Sequence, residues 1–239
     1  MSEQMNTPML PPPSGVAEWF SVWRDAVTKP SEQTFSRIAL SPNAKITTAL
    51  LWVFLGSLVN IFVASLVPNQ AIRQLMQNSN FGNGQGLPSA VGGGLVSAIC
   101  GAPIGAVISI VTFAIVVGIV QLIAKMFGGR GTFDQLAYAI AAIVTPFYLL
   151  STVLTLFGAI PFVGACFGII GLFAGLYVLV LEVMAVKGVN QFGWGQAIVS
   201  LLLPFFVLVC CIAVGVIGVL QALGPRINEI FNSIQQSLP

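Results

Sequence analysis

Histidine is absent from this chain of 239 residues, and charge is scarce: nine basic and seven acidic side chains make up 7% of it. Without histidine the commonest metal ligand and the commonest acid–base group at neutral pH are missing. There is no GxSxG, no HExxH, no P-loop ending in GK[ST] and no pair of carboxylates inside an apolar run. Serine-hydrolase, zinc-protease, nucleotide-binding and paired-aspartate intramembrane chemistry are therefore not expected. The four cysteines, Cys100, Cys166, Cys210 and Cys211, form no CxxC pair and lie in apolar runs. They are expected to pack as small hydrophobes, so neither a metal site nor a disulfide framework is expected. A net charge of +2 gives no basis for nucleic-acid binding. No cofactor and no enzymatic activity follow from these residues.

What the chain has in quantity is apolar surface, since 56% of its residues are hydrophobic. A soluble domain covers itself with about a quarter charged residues, whereas a bilayer removes that need. The expected fold is all-α: a multi-pass bundle of five transmembrane helices preceded by a short amphipathic helix. The five spans are Ile46–Val67, one within Leu95–Ala124, Leu136–Phe157, Phe162–Val186 and Gln196–Leu223. Each has the ~20 apolar residues that a hydrocarbon core requires. Pro103 is expected to kink the second, and Pro146 and Pro204 interrupt the third and fifth. Gly158–Pro161 is short enough to force spans three and four into a hairpin.

Four regions result: a disordered tail over 1–15, an interfacial segment over 16–45, the membrane domain over 46–223 and a polar tail over 224–239. No cleavable leader is expected, because the first 45 residues hold no apolar run of the needed length. Over 16–29, Val16, Trp19, Phe20, Trp23 and Val27 share one helical face. That face suits either the membrane interface or docking on the spans. Lys29-Pro30 ends the helix.

Charge placement sets orientation. With the N-terminus inside, Arg24, Lys29, Arg37, Lys45, Lys125, Arg130 and Lys187 are cytoplasmic, and only Arg73 and Arg226 are outside, as is the C-terminus. A weak internal similarity accompanies this. Lys125 opens a segment through Gly131, Phe133 and Gln135 into a span with Pro146-Phe147, and Lys187 opens one through Phe192, Gly195 and Gln196 into a span with Pro204-Phe205.

Seven positions stand out as functional candidates. Glu182 is the one ionisable group inside a span; it is either an ion or proton site or an interfacial carboxylate paired with Lys187, Lys125 or Arg130. Asn60, with Gln121 and Gln221, suits helix-to-helix hydrogen bonding, and substrate contact is the alternative. Gly128, Gly129 and Gly131 could form an anion-binding nest or a tight turn. Trp19 and Trp23 carry the amphipathic face. In span four, Gly164-xxx-Gly168 and Gly171-xxx-Gly175 permit close helix approach, within the bundle or in a homo-oligomer.

These motifs resemble the YIP family, the Ypt/Rab-interacting membrane proteins. The likeness rests on Lys29-Pro30 after an aromatic helix, on Gly128-Gly129-x-Gly131-x-Phe133 with Gln135, Ala139 and Pro146, and on Lys187-Gly188-Val189 followed by Trp194-Gly195-Gln196-Ala197 and Pro204. It covers roughly residues 16–223. Eukaryotic members carry a long cytoplasmic N-terminal domain and an Asp-Leu-Tyr-Gly-Pro motif, and neither is found here. The resemblance therefore implies the short prokaryotic-type branch, in a plasma membrane, and no Rab contact is carried over. The expected function is a non-enzymatic scaffold, adaptor or membrane-organising factor whose partners are the bilayer and other membrane proteins. The alternative is a small-solute or ion transporter or channel.

Overall fold

The computed structural model describes residues 15–67, 95–158 and 163–207, with 210 and 214; among them every regular element is an α-helix. Helix α1 (Val16–Thr28) stops before Lys29-Pro30, because proline disfavours helical backbone in the residue before it. A second short helix, α2 (Glu32–Ala39), follows. Ser31 caps it by accepting the Thr34 N–H at 3.1 Å, and Glu32 in the first turn suits the positive end of the helix dipole. Residues 16–45 thus hold two helices where the apolar pattern indicated one. The α2 stripe of Phe35, Ile38 and Ala39 is too short to stand out by periodicity.

Among the described residues four helices are long and apolar enough to cross a membrane: α3 (Ile46–Leu66), α4 (Leu95–Met126), α5 (Phe133–Gly158) and α6 (Val163–Asn190). The chain is a multi-pass all-α membrane protein. The fifth expected span begins as α7 (Trp194–Val207), shorter than 18 residues, and most of its remainder lies outside the described residues, as does the loop after α3. Helix α4 continues through Pro103 and α5 through Pro146. Helix α6 runs one turn past the expected Val186, through Lys187-Gly188-Val189-Asn190, because Gly188 lets α2 pack directly on that turn. A Cβ on Gly188 would lie 2.7 Å from the Glu32 carbonyl oxygen.

Contacts along the helices give the topology. Trp52 lies against Tyr138, Gly56 against Thr145 and Tyr148, and Asn60 against Tyr148 and Thr152. The numbers rise together, so α3 and α5 run parallel. Gly105, early in α4, meets Ile61, late in α3, so α4 runs the other way. Gln121 near the end of α4 meets Asn190 at the end of α6. One end of the bundle therefore gathers the starts of α3 and α5, the ends of α4 and α6, and both short helices. Arg24, Lys29, Arg37, Lys45, Lys125, Arg130 and Lys187 all fall there and make it the basic end of the bundle. Arg73 and Arg226 lie outside the described residues.

The core is concentrated at that same end. Leu136 through Ile143 are buried without interruption, a helix covered all round. Helices α1, α2, α3, α4 and α6 surround it. Towards the far end, α6 turns Ile169, Leu172, Phe173 and Leu176 outward to the lipid. Cys100, Cys166 and Cys210 are exposed there as free thiols, and Cys211 lies outside the described residues. Lipid accepts a small apolar side chain as readily as a core does. The glycine motifs of α6 need a correction. A Cβ on Gly164 would lie 2.6 Å from the Gly158 carbonyl oxygen and one on Gly171 3.9 Å from Leu154 of α5, but Gly168 and Gly175 have nothing within 4 Å, so among the described residues neither pair forms a close two-glycine contact between helices.

Candidate functional site

At the basic end the loop between α4 and α5 interlocks with the last turn of α6. Gln121 donates to the Gly131 carbonyl at 2.7 Å and to Asn190 Oδ1 at 3.2 Å, and the Asn190 amide donates to the Val186 carbonyl at 3.1 Å. Both side chains are buried. The Arg130 N–H donates to the Asn190 carbonyl at 3.1 Å, the Gly129 N–H to Ala124 at 2.9 Å and the Gly128 N–H to Lys125 at 3.0 Å. These three N–H groups are engaged by backbone carbonyls and do not converge on a common point outside the protein.

The glycines permit this closeness. A Cβ on Gly129 would lie 2.6 Å from Asn190 Oδ1, and one on Gly131 would lie 2.6 Å from Val189 Cγ1. Gly128 has a different task, since its φ of +85° is left-handed backbone that a side chain resists.

The internal similarity has a physical content. Gln135 accepts the Thr132 N–H at 2.9 Å, and Gln196 accepts the Gly193 N–H at 2.9 Å. Each glutamine reaches back over the first turn of its helix, the capping-box move, at the starts of α5 and α7.

Helix α2 is clamped to α6. Lys187 pairs with Glu32, and its Nζ also sits 4.2 Å from the centre of the Trp194 ring. Gln191 reaches Ser36 at 3.3 Å. Lys187 is thus committed to α2, not to Glu182.

Helix α1 docks on the spans. Trp19 and Trp23 meet the Trp52 ring edge-on at 6.0 and 5.5 Å, and Trp52 lies 4.7 Å from Tyr138. Each such aromatic pair adds roughly 0.5–1.5 kcal/mol to area burial. Tyr177 donates to the Val27 carbonyl at 2.7 Å. The inward face is Trp19, Trp23 and Ala26, while Val16 and Phe20 are about 60% exposed (59% and 60%). The five-residue stripe is wider than the docking contact, because Trp52 engages only its centre.

The remaining candidates lie deeper. Asn60 donates to the Tyr148 carbonyl and to Thr152 Oγ1, both at 3.2 Å, and joins α3 to α5. Glu182 lines a crevice with Tyr148, Ser109 and Thr112, and no described side chain pairs with it. Gln221 lies outside the described residues. Among the described residues no group of three Cys, Asp or Glu is placed to hold a metal ion.

Sequence reasoning missed Glu32, Gln191 and Asn190. Their partners are remote in the chain, and the one local signal was glycine density near Asn190.

The model of the Yip1 domain matches residues 24–215, from within α1 to beyond α7. The chain belongs to the Yip1-domain family. No curated protein and no solved structure matches it. The Yip1 domain here takes in the basic-end interlock, the α2 clamp and the crevice at Glu182 together.

Proposed function

We propose that this Yip1-domain protein is a non-enzymatic membrane scaffold or adaptor, and that its basic end holds the partner. One observation carries the reading: among the described residues the buried core and the long-range polar pairing gather at that end and build a shelf there. Beside α2 lies a recess of about 650 Å³ lined by Gln33, Ser36, Arg37, Leu40 and Gln191. Leu40 and Met126 stand 72% and 78% exposed at its margin and at the end of α4. Rigid, mixed apolar and polar surface of this kind suits a cytoplasmic segment of another membrane protein. The same reading puts the basic end and the N-terminus in the cytoplasm of a prokaryotic cell and the C-terminus outside, supported by seven basic residues at one end.

Photo-crosslinking residues placed at Leu40 and Met126 in native membranes test it, with Leu156 on the lipid-facing flank as control. Repeated capture of a defined membrane protein from the first two positions and not the third supports the reading. Identical background at all three overturns it.

Transport of a small solute is the second reading, and the crevice at Glu182 is the observation in its favour. Flux into proteoliposomes that is lost in Glu182→Gln supports it, and the absence of flux for all solutes tried counts against it.

A further inference from the structure

Glu182 lies eight residues before the end of α6, about 12 Å along the helix, and so beneath the level of the basic cluster. A carboxylate held there without compensation costs several kcal/mol. Lys187 pairs with Glu32 and covers Trp194, Arg130 sits in the loop on Asn190, and Lys125 ends α4. No ion pair or hydrogen bond to Glu182 occurs among the described residues.

Glu182 lines a crevice of about 350 Å³ bounded by α4, α6 and Leu201 of α7, with α5 as its floor. Ser109 and Thr112, one turn apart on α4, and Tyr148 on α5, all hydroxyl-bearing, line the same space. The inner wall is apolar and closed by Val117 and Val120, which are 1% exposed, whereas Ile108 and Val116 on the rim are 60% and 49% exposed on the flank of α4. On its α4 side the crevice therefore opens sideways, where the bilayer would be. Its volume holds about a dozen water-sized groups at ~30 Å³ each, enough for a small head and the first carbons of a chain.

We propose that this crevice binds the ammonium head of a lipid-borne amphiphile, with the carboxylate of Glu182 and the hydroxyl oxygens of Ser109, Thr112 and Tyr148 facing the head and the hydrocarbon chain leaving past Ile108 and Val116. Charge selects the occupant. An anion is repelled by Glu182, a neutral alcohol leaves the carboxylate uncompensated, and a hydrophilic cation has no route through lipid. An ammonium head with a single chain meets all three conditions. The site serves a scaffold or a transporter equally, so it stands apart from the choice between them.

The test uses the purified full chain in neutral detergent, titrated with tetradecylamine, tetradecanol or tetradecyl sulfate. Unfolding temperature and native mass spectrometry are the readouts. Tetradecylamine is expected to bind saturably and raise the unfolding temperature, at least tenfold more tightly than the other two, because a charge-assisted contact replaces an uncompensated carboxylate. Glu182→Gln is expected to remove that preference at least tenfold while keeping the fold, since it removes the charge and little volume. Val116→Trp, on the exposed rim, is expected to block binding with the carboxylate still present. In nanodiscs of phosphatidylglycerol, added phosphatidylethanolamine or added tetradecylamine then shows whether a lipid headgroup or a free amine fits. Equal binding of amine and alcohol, or unchanged amine binding by Glu182→Gln, overturns the proposal, as does binding of neither probe.

Discussion

Gly129→Ala is the sharpest probe of the basic end. The added Cβ would lie 2.6 Å from Asn190 Oδ1 and 2.8 Å from the Ala124 carbonyl oxygen. Neither neighbour withdraws easily. The Ala124 oxygen is helix backbone that already accepts the Gly129 N–H at 2.9 Å, and Asn190 Oδ1 accepts from Gln121 at 3.2 Å. Either the loop shifts, an overpacking cost of about 1–3 kcal/mol, or Asn190 turns away and orphans a buried amide, again about 1–3 kcal/mol.

Gly131→Ala meets Val189 Cγ1 at 2.6 Å and its carbonyl oxygen at 2.9 Å, and belongs in the same range. Gly128→Ala meets nothing within 4 Å and suffers only its φ of +85°, roughly 1–2 kcal/mol. Gly168→Ala, also with nothing within 4 Å, is neutral or gains about 0.5–1 kcal/mol of helix propensity.

Thermal unfolding of the purified protein in one detergent reads the series, at about 2–4 °C per kcal/mol for a chain of this size. Asn190→Ala removes one of the two clashing groups, so in that background Gly129→Ala costs less than it does alone, with a coupling of about 0.5–3 kcal/mol. Gly129→Ala as harmless as Gly168→Ala, or strict additivity with Asn190→Ala, would refute the interlock.

Three further outcomes are expected. Trp52→Ala removes a fully buried ring and the seat of α1, so it costs about 3–5 kcal/mol and opens the Arg24–Asp25 bond to trypsin, while Phe20→Ala leaves the cleavage pattern unchanged. Glu32→Gln leaves Lys187, 14% exposed, without its carboxylate, so it destabilises more than the paired Glu32→Gln, Lys187→Met variant does; the order of unfolding temperatures decides. Cysteines replacing Lys125 and Lys187 react with an impermeant thiol reagent from the same side of sealed vesicles, and labelling from opposite sides breaks the topology.

Much of the architecture was open to reading because bilayer energetics act locally. An apolar run of about twenty residues lowers its free energy in lipid whatever its neighbours are, so α3, α4, α5 and α6 could be placed from hydropathy alone. The end of α1 at Lys29-Pro30 was equally local. Helix α2 was not, because its eight residues acquire a reason to be helical only when Phe35 and Ile38 find α5 and α6.

The candidate site divides along the same line. Composition and spacing by themselves determined that this is a multi-pass helical membrane protein with one carboxylate within a span, a glycine-rich loop and a tryptophan helix. Tertiary structure alone decided that the loop glycines lie against Asn190, that Lys187 serves Glu32 and not Glu182, and that the tryptophans rest on Trp52. Residues 155 positions apart meet there. Such pairings depend on how helices are laid against one another, and a pattern read along one helix carries no record of its neighbours.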